Sequence, residues 1–94
     1  MMSKTPIELN KIGKREADME IMRSAIIAEL DAISLYEQLA AQTSDIDLKK
    51  VLLDIAREEK THYGEFHEML LRIDQDQVKE IDKAKKEVKE LTEK

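Results

Sequence analysis

Residues 48–73 read LKKVLLDIAREEKTHYGEFHEMLLRI, and the spacing of their apolar positions decides the fold. Leu48, Leu52, Ile55, Phe66, Met69 and Ile73 follow steps of four and three, and Glu59 and His62 occupy the same register between Ile55 and Phe66. Residues three or four apart are neighbours on a helix surface, so this period predicts one long helix with a single apolar face. Two polar side chains inside that face need a partner, because a buried polar group without one is costly.

The flanking segments extend the same pattern. Upstream, Met22, Ile26, Ile33, Tyr36 and Ala40 recur at steps of three, four or seven and predict a helix over about 15–41. Gln42 to Ser44 breaks the period, and Ser44 with Asp47 three residues on resembles a capping box that opens the second helix, expected over about 45–73. Asp74 followed by Gln77 repeats the signature, and Val78, Ile81, Lys85, Val88 and Leu91 then form a thin seam on a third helix over about 75–92. Residues 1–14 hold the only proline, Pro6, and no sustained period, so they read as a flexible arm before a single domain, 15–94. The expected architecture is all-α: an antiparallel two-helix hairpin plus a shorter C-terminal helix.

Composition narrows the function. Charged residues make up 39% of the 94 and the net charge is −5, which disfavours nucleic acid and anionic membranes as partners. With no cysteine, disulfides, thiolate metal sites and thiol catalysis are excluded, so a metal here would be held by oxygen and nitrogen. No apolar run approaches the roughly 18 residues a transmembrane helix needs, and the opening residues lack the apolar stretch of a secretory signal, which points to the cytoplasm.

A short connection forces the first two helices to lie antiparallel, so residues equally far from the turn share a level. Taking Ser44 as pivot, Glu29 lies fifteen residues before it and Glu59 fifteen after it. Glu29 also lies on the apolar face of its own helix, between Ile26 and Ile33. An unpaired carboxylate there costs on the order of several kcal/mol, and a cation would relieve Glu29, Glu59 and His62 together. Di-iron and di-manganese bundles take a Glu from each of two helices and a Glu-x-x-His from each of the other two. This chain holds half of that set, and a second copy related by a two-fold axis would supply the rest. Four helices would then enclose the hairpin's apolar face.

Other residues have plainer readings. Glu58 is read as a solvated acid pairing with Arg57 or Lys60, His67 as a surface histidine, and Met19, Met22 and Met69 as core fillers. Tyr36 either directs its hydroxyl toward the three donors or is an ordinary core tyrosine. Asp31 is a solvated acid unless assembly gathers several copies of it.

The stretch IIAELDAISLYEQLA, carrying Glu29 and Tyr36, and the stretch REEKTH, carrying Glu59 and His62, resemble the encapsulated ferritins, short ferritin-like chains housed in encapsulin nanocompartments. The resemblance covers about residues 18–91. It implies a ferritin-like four-helix bundle completed by dimerisation, with two iron ions per dimer interface ligated by Glu29, Glu59 and His62 and with Tyr36 beside them. It further implies a ferroxidase that oxidises Fe2+ with dioxygen, a decamer built as a pentamer of dimers, an encapsulin shell as partner, and a role in iron storage and detoxification inside that compartment. Some members carry acids for metal access at the positions of Ala28 and Asp31; Ala28 cannot serve, which reduces any such point to Asp31. The last residues, TEK, carry no evident shell-targeting tail, which fits a shortened chain, a domain fused to a shell protein, or a setting outside a shell.

Two other functions stay open at this level. A rubrerythrin-like di-metal peroxidase would use the same ligands and, without cysteine, an external electron donor. A non-catalytic helical assembly module would pair the inward Glu and His across an interface. Carboxylate and imidazole also accept manganese or zinc, so ligand type does not select iron.

Overall fold

The computed structural model describes residues 13–94. They form α1 (Lys14–Gln42), α2 (Ile46–Ile73) and α3 (Gln75–Thr92), and there is no strand among the described residues. Helix α1 thus begins at Lys14, the last residue assigned to the arm, with Gly13 at its N-cap, and residues 1–12 of that arm lie outside the described residues.

Helices α1 and α2 form the hairpin. Its turn is shaped by Asp45, not Ser44: the Asp45 carboxylate accepts a hydrogen bond of 3.0 Å from the Leu48 amide, while its own amide donates to Thr43 Oγ1 at 3.1 Å. Asp45 holds extended dihedrals of −78° and 114°, which carry its side chain over the three-residue reach of an N-cap. Asp47 falls in the first turn of α2, where a negative charge meets the positive end of the helix dipole. On the other side of the turn, the Thr43 amide closes α1 by donating to Leu39 O at 3.2 Å.

The hairpin core is thin. The buried apolar residues are Ala40, Ala56 and Leu70, and the two alanines let the helix backbones approach closely. The α1 stripe of Met22, Ile26, Ile33 and Tyr36 is half-buried along the contact with α2. Several residues of the α2 stripe are not: Leu48 and Met69 are exposed, so Met69 is not the core filler expected of it. Two helices cover only part of each other's circumference, and an apolar stripe wider than that contact is left facing outward.

Asp74 is the single residue between α2 and α3, and it is only 8% exposed. Its amide donates to Leu70 O at 2.9 Å to close α2, and its carboxylate accepts from the Gln77 amide at 3.0 Å to open α3. The cap expected from Asp74 and Gln77 is therefore present. Helix α3 turns away from the hairpin and packs only against α2, giving a flat molecule of 47 × 43 × 18 Å. No helix among the described residues is long and apolar enough to cross a membrane.

Candidate metal centre

The hairpin brings Glu29 of α1 together with Glu59 and His62 of α2. One donor atom from each lies within 4.8 Å of the other two. His62 Nδ1 stands 3.5 Å from Glu59 Oε2 and 3.7 Å from Glu29 Oε2. Glu29 and Glu59 expose about a fifth of their side chains or less, at 17% and 20%, while His62 is half open at 47%. The three thus form a shallow cluster with a covered floor of carboxylates and an imidazole at its rim.

Electrostatics at this cluster favour an added positive charge. The Glu29 carboxyl is held above its ordinary value of 4.5, chiefly by a hydrogen bond shared with Glu59, then by burial and by the negative charge of Glu59. His62 opposes that rise and Glu65 adds to it. Glu29 Oε2 is buried and accepts no hydrogen bond. An acceptor stranded beside a second carboxylate and an imidazole fits a divalent cation, which would satisfy the oxygen. The basic residue nearest in sequence to Glu59, Lys60, is engaged elsewhere, 3.1 Å from Glu37 on α1.

The remaining sequence-identified residues fall around this centre unevenly. Tyr36 is half-buried two helical turns beyond Glu29 on the same face, and helical side chains lean toward the N-terminus, which turns it toward the level of Glu29. Asp31 is not among the clustered donors; with Ser34, Leu35 and Gln38 it lines a separate recess of about 190 Å³. Glu58 is exposed, and the partners foreseen for it are used otherwise, Arg57 with Asp54 at 3.6 Å and Lys60 with Glu37. His67 is half-buried, not a free surface group, because the Tyr63 ring lies 5.8 Å from its own, tilted by 31°. Glu65 was missed, although its place three residues after His62 makes the two neighbours on the surface of α2.

The cluster opens onto an apolar face. At about 100° per residue, Ile21, Leu35 and Leu39 of α1 and Val51 and Met69 of α2 line the hairpin flank on which His62 emerges, and all five are exposed. A contiguous apolar patch rimmed by polar groups marks a contact surface.

The family description for rubrerythrin matches residues 20–94, which include every residue of this cluster and its apolar rim. The chain belongs to the rubrerythrin family. Within that family, this rubrerythrin-type chain is similar to the ferritin-like–encapsulin shell fusion protein of Pyrococcus furiosus, at 53% identity over 94 residues, 98% of the chain and 27% of the relative. It is also similar to the encapsulin nanocompartment cargo protein EncC of Myxococcus xanthus, at 32% identity over 84 residues, 86% of the chain and 65% of the relative. The chain therefore spans about a quarter of the first relative's length and under two thirds of the second's. Its fold matches the crystal structure of the encapsulated ferritin domain from Pyrococcus furiosus, with a TM-score of 0.85, 51% identity, and coverage of 100% of this chain and 96% of that one. The resemblance to encapsulated ferritins and the all-α, ferritin-like fold expected from the sequence are both borne out.

Proposed function

We propose that this chain is a ferroxidase: two copies join their apolar flanks and complete a di-iron site at which Fe2+ is oxidised by dioxygen. The observation that carries this reading is the buried, unpartnered Oε2 of Glu29 within 4.8 Å of donors from Glu59 and His62. One chain offers two carboxylates and one imidazole, too few for two ions, and a two-fold axis doubles the set.

Carboxylates and imidazole have distinct tasks. Glu29 and Glu59 would hold iron through their carboxylates from the covered floor of the cluster, and His62 would ligate through its imidazole from the rim, where the second copy would cover it. Without a cation, the hydrogen bond to Glu59, burial and the neighbouring charge of Glu59 hold the Glu29 carboxyl above its ordinary value. Two Fe2+ held there would each give one electron to dioxygen, which takes up two protons from water and leaves as hydrogen peroxide while the iron leaves as Fe3+. Tyr36 contributes a hydroxyl near the carboxylates, and Asp31 offers a point of metal access outside the donor cluster. Manganese or zinc would bind the same donors without the same turnover.

The setting follows from the relatives. Similarity to a shell fusion protein and to a compartment cargo protein supports an encapsulin shell as partner, a cytoplasmic nanocompartment as location, and iron storage and detoxification as purpose. The oligomer proposed is a decamer made of five dimers. The test is stopped-flow Fe2+ oxidation with dioxygen by the wild type and by Glu29→Ala, Glu59→Ala and His62→Ala. Loss of the fast phase in all three is the expected result, and full activity in all three rejects the proposal. The family match gives a peroxidase reading its own support, and turnover with hydrogen peroxide that outpaces turnover with dioxygen would establish it.

A further inference from the structure

Helix α3 leaves the hairpin at one residue and touches only α2, yet two arginines from α1 converge on that corner. Arg15 donates to the carbonyl of Ile73, the last residue of α2. Arg23, two turns further along α1, places Nη2 3.0 Å from Asp74 Oδ2 and Nη1 3.0 Å from Glu20 Oε1. We infer that Arg15 and Arg23 act as a two-point clamp that sets the direction of α3 relative to the hairpin.

The physical case rests on how the corner's hydrogen-bonding groups are shared. Ile73 O belongs to the end of α2 that has no intrahelical donor, and a guanidinium there satisfies it and meets the negative end of the helix dipole. Asp74 divides its two oxygens, Oδ1 accepting from the Gln77 amide and Oδ2 pairing with Arg23. The start of α3 and the side of α1 are thereby fixed to one carboxylate that is 8% exposed. Packing on α3 itself is slight: none of its residues is fully buried, only Gln77, Val78 and Ile81 are half-buried, and Val88 and Leu91 are exposed. Anchors on two consecutive residues restrict the swing of α3 about the corner more than either does alone, because Arg15 holds the end of α2 while Arg23 holds the residue that caps α3. The clamp accordingly decides which way the apolar side of α3 points when copies assemble, and in a closed assembly that angle fixes whether successive contacts meet.

The inference stands apart from the metal chemistry and is tested on the full metal-free chain. The chain has no cysteine, so Lys50→Cys and Lys86→Cys introduce two unique spin-label positions on α2 and α3. They are separated by roughly 35 Å along α2 and roughly 17 Å along α3, within the range of pulsed dipolar spectroscopy. Labelled chains are diluted in unlabelled ones so that distances within one chain dominate. Arg23→Met removes one anchor, and Asp74→Asn removes the ion pair while keeping a good N-cap residue. The expected result is a label-to-label distribution at least twice as wide in both variants, with helix content by circular dichroism unchanged. A distribution as narrow as that of the wild type in both variants overturns the inference, because something else then directs α3. Should Arg23→Met lose helix, the Asp74→Asn result decides alone.

Discussion

His62 Nδ1 lies 3.7 Å from Oε2 of Glu29, too far to donate a hydrogen bond to an oxygen that has no other donor. The hairpin thus holds an acid and an imidazole in register without letting them satisfy each other. That arrangement is unfavourable for the chain alone and suited to a third, cationic participant.

Glu29→Gln should raise the stability of the metal-free protein at neutral pH. Glu29 is shifted up from 4.5, so the folded state binds its proton more tightly than the unfolded state does. Stability therefore falls as pH rises from that ordinary value through the raised one, and is fully present only below it. Glutamine keeps the shape and cannot ionise. Chemical denaturation at several pH values, metal removed, should show a declining wild-type curve in that window and a flatter one for the variant.

Metal addition should reverse this order. Excess Zn2+ or Mn2+ should raise the wild-type melting temperature, and Glu29→Gln, Glu59→Gln and His62→Ala should each reduce that gain. Partners that merely orient ligands are worth roughly 10–100-fold in affinity, so losing a ligand should cost at least that much. Calorimetric titration at mildly acidic pH, in buffers of different ionisation enthalpy, should also record more proton release on binding to the wild type than to Glu29→Gln, since a carboxyl held above its ordinary value must ionise to ligate.

Val51→Arg should separate assembly from local ligation. Val51 is 55% exposed on the flank where His62 emerges. Burying an unpaired charge between two copies is costly, and about 1.4 kcal/mol of lost association already weakens it tenfold. Sedimentation should show smaller species, and Fe2+ oxidation per chain should fall with the fraction of dimer lost.

Tyr36→Phe should leave metal affinity intact and slow Fe2+ oxidation by roughly tenfold or less, the low end of what an outer partner contributes. An unchanged rate would leave Tyr36 a packing residue.

Asp45→Ala should cost about 1 kcal/mol through loss of the cap on the Leu48 amide. For a domain of this size that lowers the melting temperature by about 4–8 °C. Ser44→Ala should have a much smaller effect.

The fold and the three clustered donors were legible because both follow from helical period and chain length. The stripe from Leu48 to Ile73 located Glu59 and His62, and the count from the turn located Glu29. The cap was misplaced by one residue because Ser44 and Asp45 can both cap, and only backbone dihedrals choose between them. Met69 and Leu48 were read as buried because an amphipathic stripe reports burial in the assembled state, whereas one chain covers only part of it. The Arg23–Asp74 pair spans 51 residues and depends on the angle of a corner, which no local pattern encodes. Glu65 escaped notice because its influence on Glu29 acts through space between helices.

With Ala40, Ala56 and Leu70 as the only buried apolar residues among those described, the hairpin keeps little of its apolar surface from water on its own. If two copies associate as proposed, folding and association become one mass-action equilibrium, and dilution acts as a denaturant. The melting temperature should rise with protein concentration. On the shared site proposed above, a newly made chain would stay loosely structured and unable to turn over iron until it meets its twin, and reactive iron chemistry would be confined to finished assemblies.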